Sequence, residues 1–492
     1  MARPITTIED LRIKARRRVP RMFYDYADSG SWTETTYRAN ETDLAAIRLR
    51  QRVAVDVSQR ALRTEIAGEA SQLPLALAPT GLTGMQHADG EILAARAAEK
   101  AGIPFTLSTM SICSIEDVAE NTTRPFWFQL YVMRDRNFVR GLIDRARAAG
   151  CSALVLTLDL QVLGQRHKDI VNGLTTPPKP TLANLLNLAT KPRWCLGMLG
   201  TRRRTFRNIA GHAEGVSDMT SLSVWTAEQF DPALSWDDVK EIKDYWGGKL
   251  ILKGILDAED AVKAVECGAD AIIVSNHGGR QLDGALSSIS ALPAMVDAVG
   301  DRIEVLMDGG VRSGRDVLKA VALGAKAVFI GRAFLYGLGA GGQAGVEKAI
   351  EIIAKELDVT MALCGLRDIR DTSKAILVPG TWPGVDPAPF LRRAAAPPRR
   401  RAGHGLTAVR QMQETVRNYR EGPTDDRAAN IQAGRQRPDR RGRGGAGSGR
   451  GHCTTLRKGR LCRGAGRTQR GEASRYSGGA ACRDAACDLG RW

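Results

Sequence analysis

The segment Ser275-Asn276-His277-Gly278-Gly279-Arg280 sets an imidazole and a guanidinium three residues apart, with two glycines between them. It directly follows the apolar run Ala271-Ile272-Ile273-Val274. An imidazole can accept a proton, and a guanidinium fork can hold a carboxylate in a bidentate geometry that lysine cannot copy. Together they are what the oxidation of a 2-hydroxy acid requires, since the acid end must be held while a proton leaves. A lone histidine is more often a hydrogen-bonded core residue. The strand end, the glycines and the neighbouring arginine argue against that reading here.

A second constellation is Asp308-Gly309-Gly310-Val311-Arg312 together with Ile330-Gly331-Arg332. Backbone N–H groups freed by glycines, beside two arginines, make a cradle for a phosphate; the alternative is a pair of tight turns. No GxGxxG follows an early strand, so a nicotinamide site of the doubly wound type is not expected. Lys253, in Leu252-Lys253-Gly254, would be costly in an apolar interior unless it met negative charge. Beside a flavin it could stabilise the anionic reduced ring; otherwise it would snorkel to solvent. Asp159 could orient His277 and stabilise its protonated form, or it could be a helix N-cap.

Eight short apolar runs have the character of buried parallel strands: 74–79, 104–109, 126–132, 153–159, 249–254, 271–276, 304–308 and 327–331. Between most of them, 90–102, 136–150, 235–246, 257–268, 289–300 and 313–324 carry apolar residues at three and four spacing, and several stop at glycine. Strands alternating with helices also suit a doubly wound sheet, but a count of eight favours an α/β fold of the (β/α)8 TIM-barrel type, spanning about 74–365. Polar residues gather at the C-terminal ends of the runs: Ser108, Gln129, Tyr131, Thr157, Asp159, Lys253, His277, Asp308 and Arg332. In a barrel those ends form the active-site face. Apolar periodicity alone does not demand polar residues there.

The connection after the fourth strand is abnormally long, from Asp159 to Lys249. It contains the apolar stretches 182–189 and 194–199 and the basic triplet 202–204. Such a loop suits either a lid packed on the barrel or on a partner subunit, or a surface lying on a membrane interface. The formal charge of +17 is uneven: residues 391–492 hold 24 Arg plus Lys against 8 Asp plus Glu, leaving 47 against 46 in residues 1–390. The body, residues 1–390, is read as one domain. The tail has too little apolar content to bury a core and is expected to be disordered. Its Arg, Gly and Ala bias matches out-of-frame translation of GC-rich coding sequence better than a nucleic-acid-binding arm, so nucleic acid is not an expected partner. Cys113, Cys151, Cys195, Cys267 and Cys364 lie scattered through the body without a CxxC or metal-ligand spacing, and no metal is expected. No signal peptide or spanning helix is read, which gives the expectation of a cytoplasmic protein, with peripheral membrane contact open.

Tyr24-Asp25-Tyr26, Ala78-Pro79-Thr80-Gly81, Phe128-Gln129-Leu130-Tyr131, Leu156-Thr157-Leu158-Asp159, Leu252-Lys253-Gly254, Ser275 through Gln281, Asp308 through Arg312 and Phe329-Ile330-Gly331-Arg332 together resemble the FMN-dependent 2-hydroxy-acid dehydrogenases and oxidases. The resemblance covers residues 1 to about 384, and the Leu-rich long connection is most similar to the bacterial respiratory L-lactate dehydrogenase branch. It implies FMN as cofactor, His277 as the base paired with Asp159, and Arg166 and Arg280 on the substrate carboxylate beside Tyr26. Tyr131 would sit near the substrate hydroxyl. Pro79, Thr80, Gly81, Ser108, Gln129, Thr157, Lys253 and Ser275 would line the flavin ring. Asp308, Gly310, Arg312, Gly331 and Arg332 would hold the ribityl and phosphate end. Glycine at position 81, where the oxidases usually carry alanine, implies a dehydrogenase that passes electrons onward, with a quinone as acceptor. Met110 stands where glycolate oxidase has tryptophan, so the wall of the substrate site differs. The resemblance further implies a homotetramer, and a peripheral seat on the cytoplasmic face of the inner membrane stays open beside the cytoplasmic expectation.

Overall fold

The computed structural model describes residues 4–174, 181–212, 225 and 228–382. The chain divides into units 1–400 and 401–492, and the second, with the expected disorder of the basic tail, lies outside the described residues.

A small antiparallel hairpin, β1 (Thr64–Ile66) and β2 (Glu69–Ser71), precedes eight parallel strands: β3 (Leu75–Leu77), β4 (Thr106–Ser108), β5 (Trp127–Tyr131), β6 (Ala153–Thr157), β7 (Lys249–Ile255), β8 (Ala271–Val274), β9 (Glu304–Asp308) and β10 (Val328–Ile330). Their order around the sheet is β3-β10-β9-β8-β7-β6-β5-β4, and a parallel bridge from Leu77 to Phe105 joins the two ends. The fold is therefore a (β/α)8 barrel. Each apolar run forms its strand, and the helical patterns become Gly90–Ala101, Arg136–Ala148, Trp236–Trp246, Ala258–Glu266, Ser288–Val299 and Gly314–Ala322.

The period of two along each strand sorts the core into two layers. Leu154, Leu156, Leu250, Leu252, Ile272, Val274, Val328 and Ile330 face the surrounding helices in the main cluster. Ala76, Ala78, Ala153, Val155, Ile251, Ala271, Ile273, Leu306, Ala327 and Phe329 form a separate inner cluster. Burying each larger aliphatic chain stabilises the barrel by about 1.5–3 kcal/mol. The hairpin adds Ile66 and Ala67 to that inner cluster. It is fastened by Ala67 N–H to Glu304 Oε2 at 2.7 Å and by Trp127 Nε1 to Glu69 Oε1 at 2.9 Å, and so fills the mouth at the strands' N-terminal ends.

The same parity, continued upward, leaves the apolar core and reaches polar chemistry. From Trp127 it runs to Gln129 and Tyr131, from Val155 to Thr157 and Asp159, and from Ile251 to Lys253. From Ile273 it runs to Ser275 and His277, and from Leu306 to Asp308. The C-terminal ends of the strands are thus where inward positions turn polar.

The helix Ile8–Arg18 opens with a Thr7/Asp10 capping box and packs on the C-terminal helical segment Arg332–Leu363, which breaks at Gly341 and Gly342. Within the long connection, Leu182–Ala189 starts at a Thr181 cap and Pro192–Gly200 starts on a proline. Their inner side holds Trp194, stacked on Phe23 at 5.4 Å, and Met198, packed with Met85 and Ile112. Their outer side leaves Leu182, Leu185, Leu186, Leu196 and Leu199 between 54 and 73% exposed. A lid packed wholly on its own barrel would bury these leucines; in the single chain they have no cover among the described residues. Of the basic triplet, Arg203 pairs with Asp89 and Asp117, and Arg204 donates to the carbonyls of Thr201 and Leu199.

Candidate active site

His277 follows β8 in the left-handed region, φ 57°, a conformation that costs a non-glycine side chain about 1–3 kcal/mol and is typical of functional turns. Its Nδ1 lies 2.9 Å from Asp159 Oδ1. An ionised carboxylate only accepts, so Nδ1 carries the proton and Nε2 is the free acceptor. Burial pushes the imidazole pKa below its ordinary value, and the Lys253 and Arg280 cations add to this against the pull of Asp159. Burial would raise the Asp159 carboxyl, but His277 and Lys253 hold it below the usual range. Asp159 sits there because the residue facing it is glycine: a Cβ on Gly254, φ 101°, would stand 2.7 Å from the Asp159 carboxyl carbon.

Arg280 and Arg166 both lie against the Tyr26 ring, with guanidinium carbons 4.6 and 5.6 Å from its centroid. Burial, then the neighbouring Arg166 charge, pushes the Arg280 pKa down to about 10. Two cations forced together in a buried place mark a seat for an anion. Arg280 is steadied by the carbonyls of Tyr26 and Ser29, and Arg166 by Asp169 at 3.4 Å. Both arginines line one cleft of about 260 Å³ with Tyr26, Tyr131, Lys253 and His277. Tyr131, its phenol pKa raised by burial, meets Phe230 edge-on at 5.6 Å. Met110, Leu160, Leu163, Phe206 and Phe230 form the apolar wall.

On the floor, Lys253 is 3% exposed, so it does not snorkel. Its Nζ pairs with Asp308 Oδ2 at 2.9 Å and donates to Ser275 Oγ at 2.8 Å. Burial would lower its pKa, yet Asp308 and Asp159 raise it above the ordinary value. Around it Gln129 Nε2, Thr157 Oγ1 and Asp308 Oδ1 are buried without a hydrogen-bond partner. Leaving such groups unpaired costs about 1–3 kcal/mol each. Donors and acceptors awaiting a planar heterocycle suit a flavin ring, and Ser108, behind them, bonds Gln129 Oε1 at 2.9 Å. Pro79, Thr80 and Gly81 line the cleft beside this floor, where a Cβ on Gly81 would come within 3.2 Å of Met110 Cβ and of the Tyr26 hydroxyl. Gly309, Gly310, Arg312, Gly331 and Arg332 line the far end. Arg312 is held by Glu41 at 3.0 Å. Arg332 turns its donors to the carbonyls of Ala27, Gly278 and Ser29, pinning the 26–29 segment over that end. The residues present therefore fit FMN, with Arg312 and the Gly309–Gly310 backbone available to its phosphate.

Residues 15–379 match the family of FMN-dependent dehydrogenases. The chain belongs to that family. It is 49% identical over 378 residues to an L-lactate dehydrogenase of Caulobacter vibrioides, covering 76% of this chain and 97% of that enzyme. It is 47% identical over 376 residues to an L-lactate dehydrogenase of Ectopseudomonas mendocina, covering 76% of this chain and 99% of that one. Among solved structures it is similar to the monotopic membrane protein (S)-mandelate dehydrogenase, with a TM-score of 0.73 and 37% identity over 76% of this chain and all of that one. A soluble mutant of the membrane-associated (S)-mandelate dehydrogenase from Pseudomonas putida matches at 0.65 and 38% identity, over 76% of this chain and 99% of that one. In this FMN-dependent family member, the sequence-derived residues Tyr26, Tyr131, Asp159, Arg166, Lys253, His277, Arg280 and Asp308 all meet at one cleft or directly behind it.

Sequence reasoning missed the supports of that cleft. Asp28, 7% exposed, accepts from Tyr336 at 2.6 Å, Arg12 at 2.9 Å, Tyr24 at 3.0 Å and Tyr37 at 3.2 Å. It anchors the segment whose carbonyls grip both Arg280 and Arg332. Asn40 and Asn276 exchange reciprocal amide bonds at 2.9 and 2.8 Å, bracing the turn before His277. Fully buried Glu91 accepts the N–H groups of Gly84 and Ile112, each at 2.9 Å, tying together two loops beside the cleft. Burial would raise the Asp28 pKa, but the Tyr336 and Arg12 bonds hold it below the ordinary value. Its stabilisation is therefore complete above the ordinary aspartate pKa and is lost as pH falls through the lower folded value. Asp28→Asn should cost about 1.5–3 kcal/mol in urea unfolding at neutral pH. The gap from wild type should close in acid; an equal gap at both pH values would contradict the ionised hub.

Proposed function

We propose that this FMN enzyme oxidises L-lactate to pyruvate and passes the electrons to a membrane quinone. The observation that carries the reading is the meeting of the His277–Asp159 pair with the Arg166 and Arg280 guanidiniums in one cleft, over a floor of unpaired flavin-directed groups. The relatives named L-lactate dehydrogenase supply the substrate. Arg166 and Arg280 hold the carboxylate, with Tyr26 packed against both. Tyr131 lies beside the substrate hydroxyl. His277 Nε2 takes a proton as the substrate is oxidised, and Asp159 stabilises the resulting imidazolium. FMN supplies the two-electron acceptor. Lys253 would offset negative charge on bound FMN, and Asp308 keeps Lys253 in place.

Anaerobic addition of L-lactate to the yellow protein tests this. The flavin spectrum should bleach, and colour should return rapidly with a quinone and slowly with oxygen. Rapid return with oxygen would make the enzyme an oxidase and remove the weight of Gly81. Bleaching by mandelate but not lactate would favour the aromatic substrate of the structural neighbours.

The rate constant kcat/KM should be acid-sensitive. His277 must be neutral to accept a proton, and burial depresses its pKa. Activity should therefore be full at neutral pH and fall only below the ordinary histidine value; half-activity above that value would contradict the assignment.

The exposed leucines of Leu182–Ala189 and Pro192–Gly200 support a peripheral seat on the cytoplasmic face of the inner membrane. The monotopic structural neighbour lends it further support. No described helix is long and apolar enough to cross a bilayer. We read the assembly as a homotetramer, which light scattering of the detergent-solubilised protein would check.

A further inference from the structure

A second cavity, of about 390 Å³, opens between the end of the Ile8–Arg18 helix and the start of Pro192–Gly200. Arg17, Arg18, Lys191 and Arg193 line it with His87 and Trp194, and no carboxylate is among its described lining residues. None of the four cations forms an ion pair with a described carboxylate. Arg18 instead donates to the carbonyl of Ala340, where the C-terminal helix breaks, and Lys191 Nζ donates to the carbonyl of Arg17 at 2.7 Å. Trp194 is fixed at the rim by its stack on Phe23 and by Nε1 donating to the Met85 carbonyl at 2.9 Å.

Four like charges around a concave, acid-free space repel one another and favour an anion between them. The cavity adjoins the leucine face: Leu196 and Leu199, 68 and 70% exposed, lie on the helix that supplies Arg193 and Trp194. Exposed apolar side chains beside a cluster of cations match the adjacency of acyl chains and charged headgroups in a bilayer.

We propose that this cavity binds the phosphate of an anionic phospholipid headgroup and so sets the depth and orientation of the enzyme on the membrane. The proposal rests on the peripheral-membrane reading above and adds a discrete lipid site to it. It lies apart from the flavin cleft, and Arg17 and Arg193 are exposed.

The test uses the FMN-loaded full chain sedimented with vesicles of phosphatidylcholine alone or mixed with phosphatidylglycerol. Arg17→Gln/Arg193→Gln should bind the mixed vesicles about 30-fold more weakly than the parent, at about 1 kcal/mol for each charge, with binding to phosphatidylcholine unchanged. Arg302→Gln, an exposed charge far from this cavity, should change binding by less than about twofold by the same electrostatics. FMN content and bleaching by L-lactate should be unaltered in all three proteins. An equal loss in the Arg302 variant, or none in the double variant, overturns the site while leaving membrane attachment intact. Leu185→Asp/Leu196→Asp tests attachment itself and should remove binding to both vesicles. If the parent binds neither vesicle, the membrane reading fails, and monomeric short-chain phosphatidylglycerol then judges the cavity alone: equal affinity for parent and double variant overturns it. Displacement of that lipid by equimolar inorganic phosphate would overturn the lipid assignment in favour of free phosphate.

Discussion

His277→Gln should retain FMN and its yellow colour, yet reduce flavin with L-lactate roughly 10⁴-fold more slowly, the upper range for losing a general base. Retention is expected because the cradle of Gly309, Gly310 and Arg312 and the floor around Lys253 do not depend on the imidazole. Glutamine keeps a polar side chain near Asp159 but offers no basic nitrogen, so the loss reads proton acceptance rather than collapse of the site. Asp159→Asn should fall less, by roughly 10²-fold, since an imidazole without its carboxylate can still accept a proton but stabilises it poorly. Stopped-flow bleaching measures both. Near-normal reduction by the His277 variant would sink the base assignment.

Lys253→Met should be the most damaging substitution for the floor. It leaves the Asp308 carboxylate buried without its cation, a loss of about 3–5 kcal/mol for a broken buried pair. Urea unfolding measures that term. Flavin reduction should also slow by about 10²–10³-fold, as for removal of one preorganised electrostatic group. Lys253→Met/Asp308→Leu separates the two effects. Removing both charges should recover most of the stability and none of the rate. Recovery of both would mean that Lys253 only balances Asp308.

Much of this site is legible in the amino-acid sequence, because a barrel strand encodes its facing by parity. Ala271 and Ile273 alternate inward along β8, Ser275 and His277 continue that spacing past its end, and the step from apolar to polar marks the end of the core. The same step from Ile251 to Lys253 and from Leu306 to Asp308 makes a charged floor legible. Arg166 is different. It stands outside the strands, at the N-terminus of the short helix His167–Val171, and only the family resemblance points to it. Asp28 carries little local signal, since only Tyr24 among its partners is near in sequence and the others lie at positions 12, 37 and 336. The facing of the leucines in 182–199 is equally silent. An amphipathic run has the same pattern whether its apolar side meets a barrel, a partner subunit or a bilayer.

The hairpin at Thr64–Ser71 and the packed interior above it have a kinetic consequence. The hairpin completes an inner core, with Ile66 and Ala67 packed under the barrel residues, that fills the interior, so the described cleft opens at the C-terminal ends of the strands. The reductant and the oxidant of the catalytic cycle must then use one doorway in turn. Steady-state rates measured against both partners should plot as parallel lines, and an excess of either should obstruct the other. Traffic through this enzyme alternates because its barrel is a cup rather than a tube.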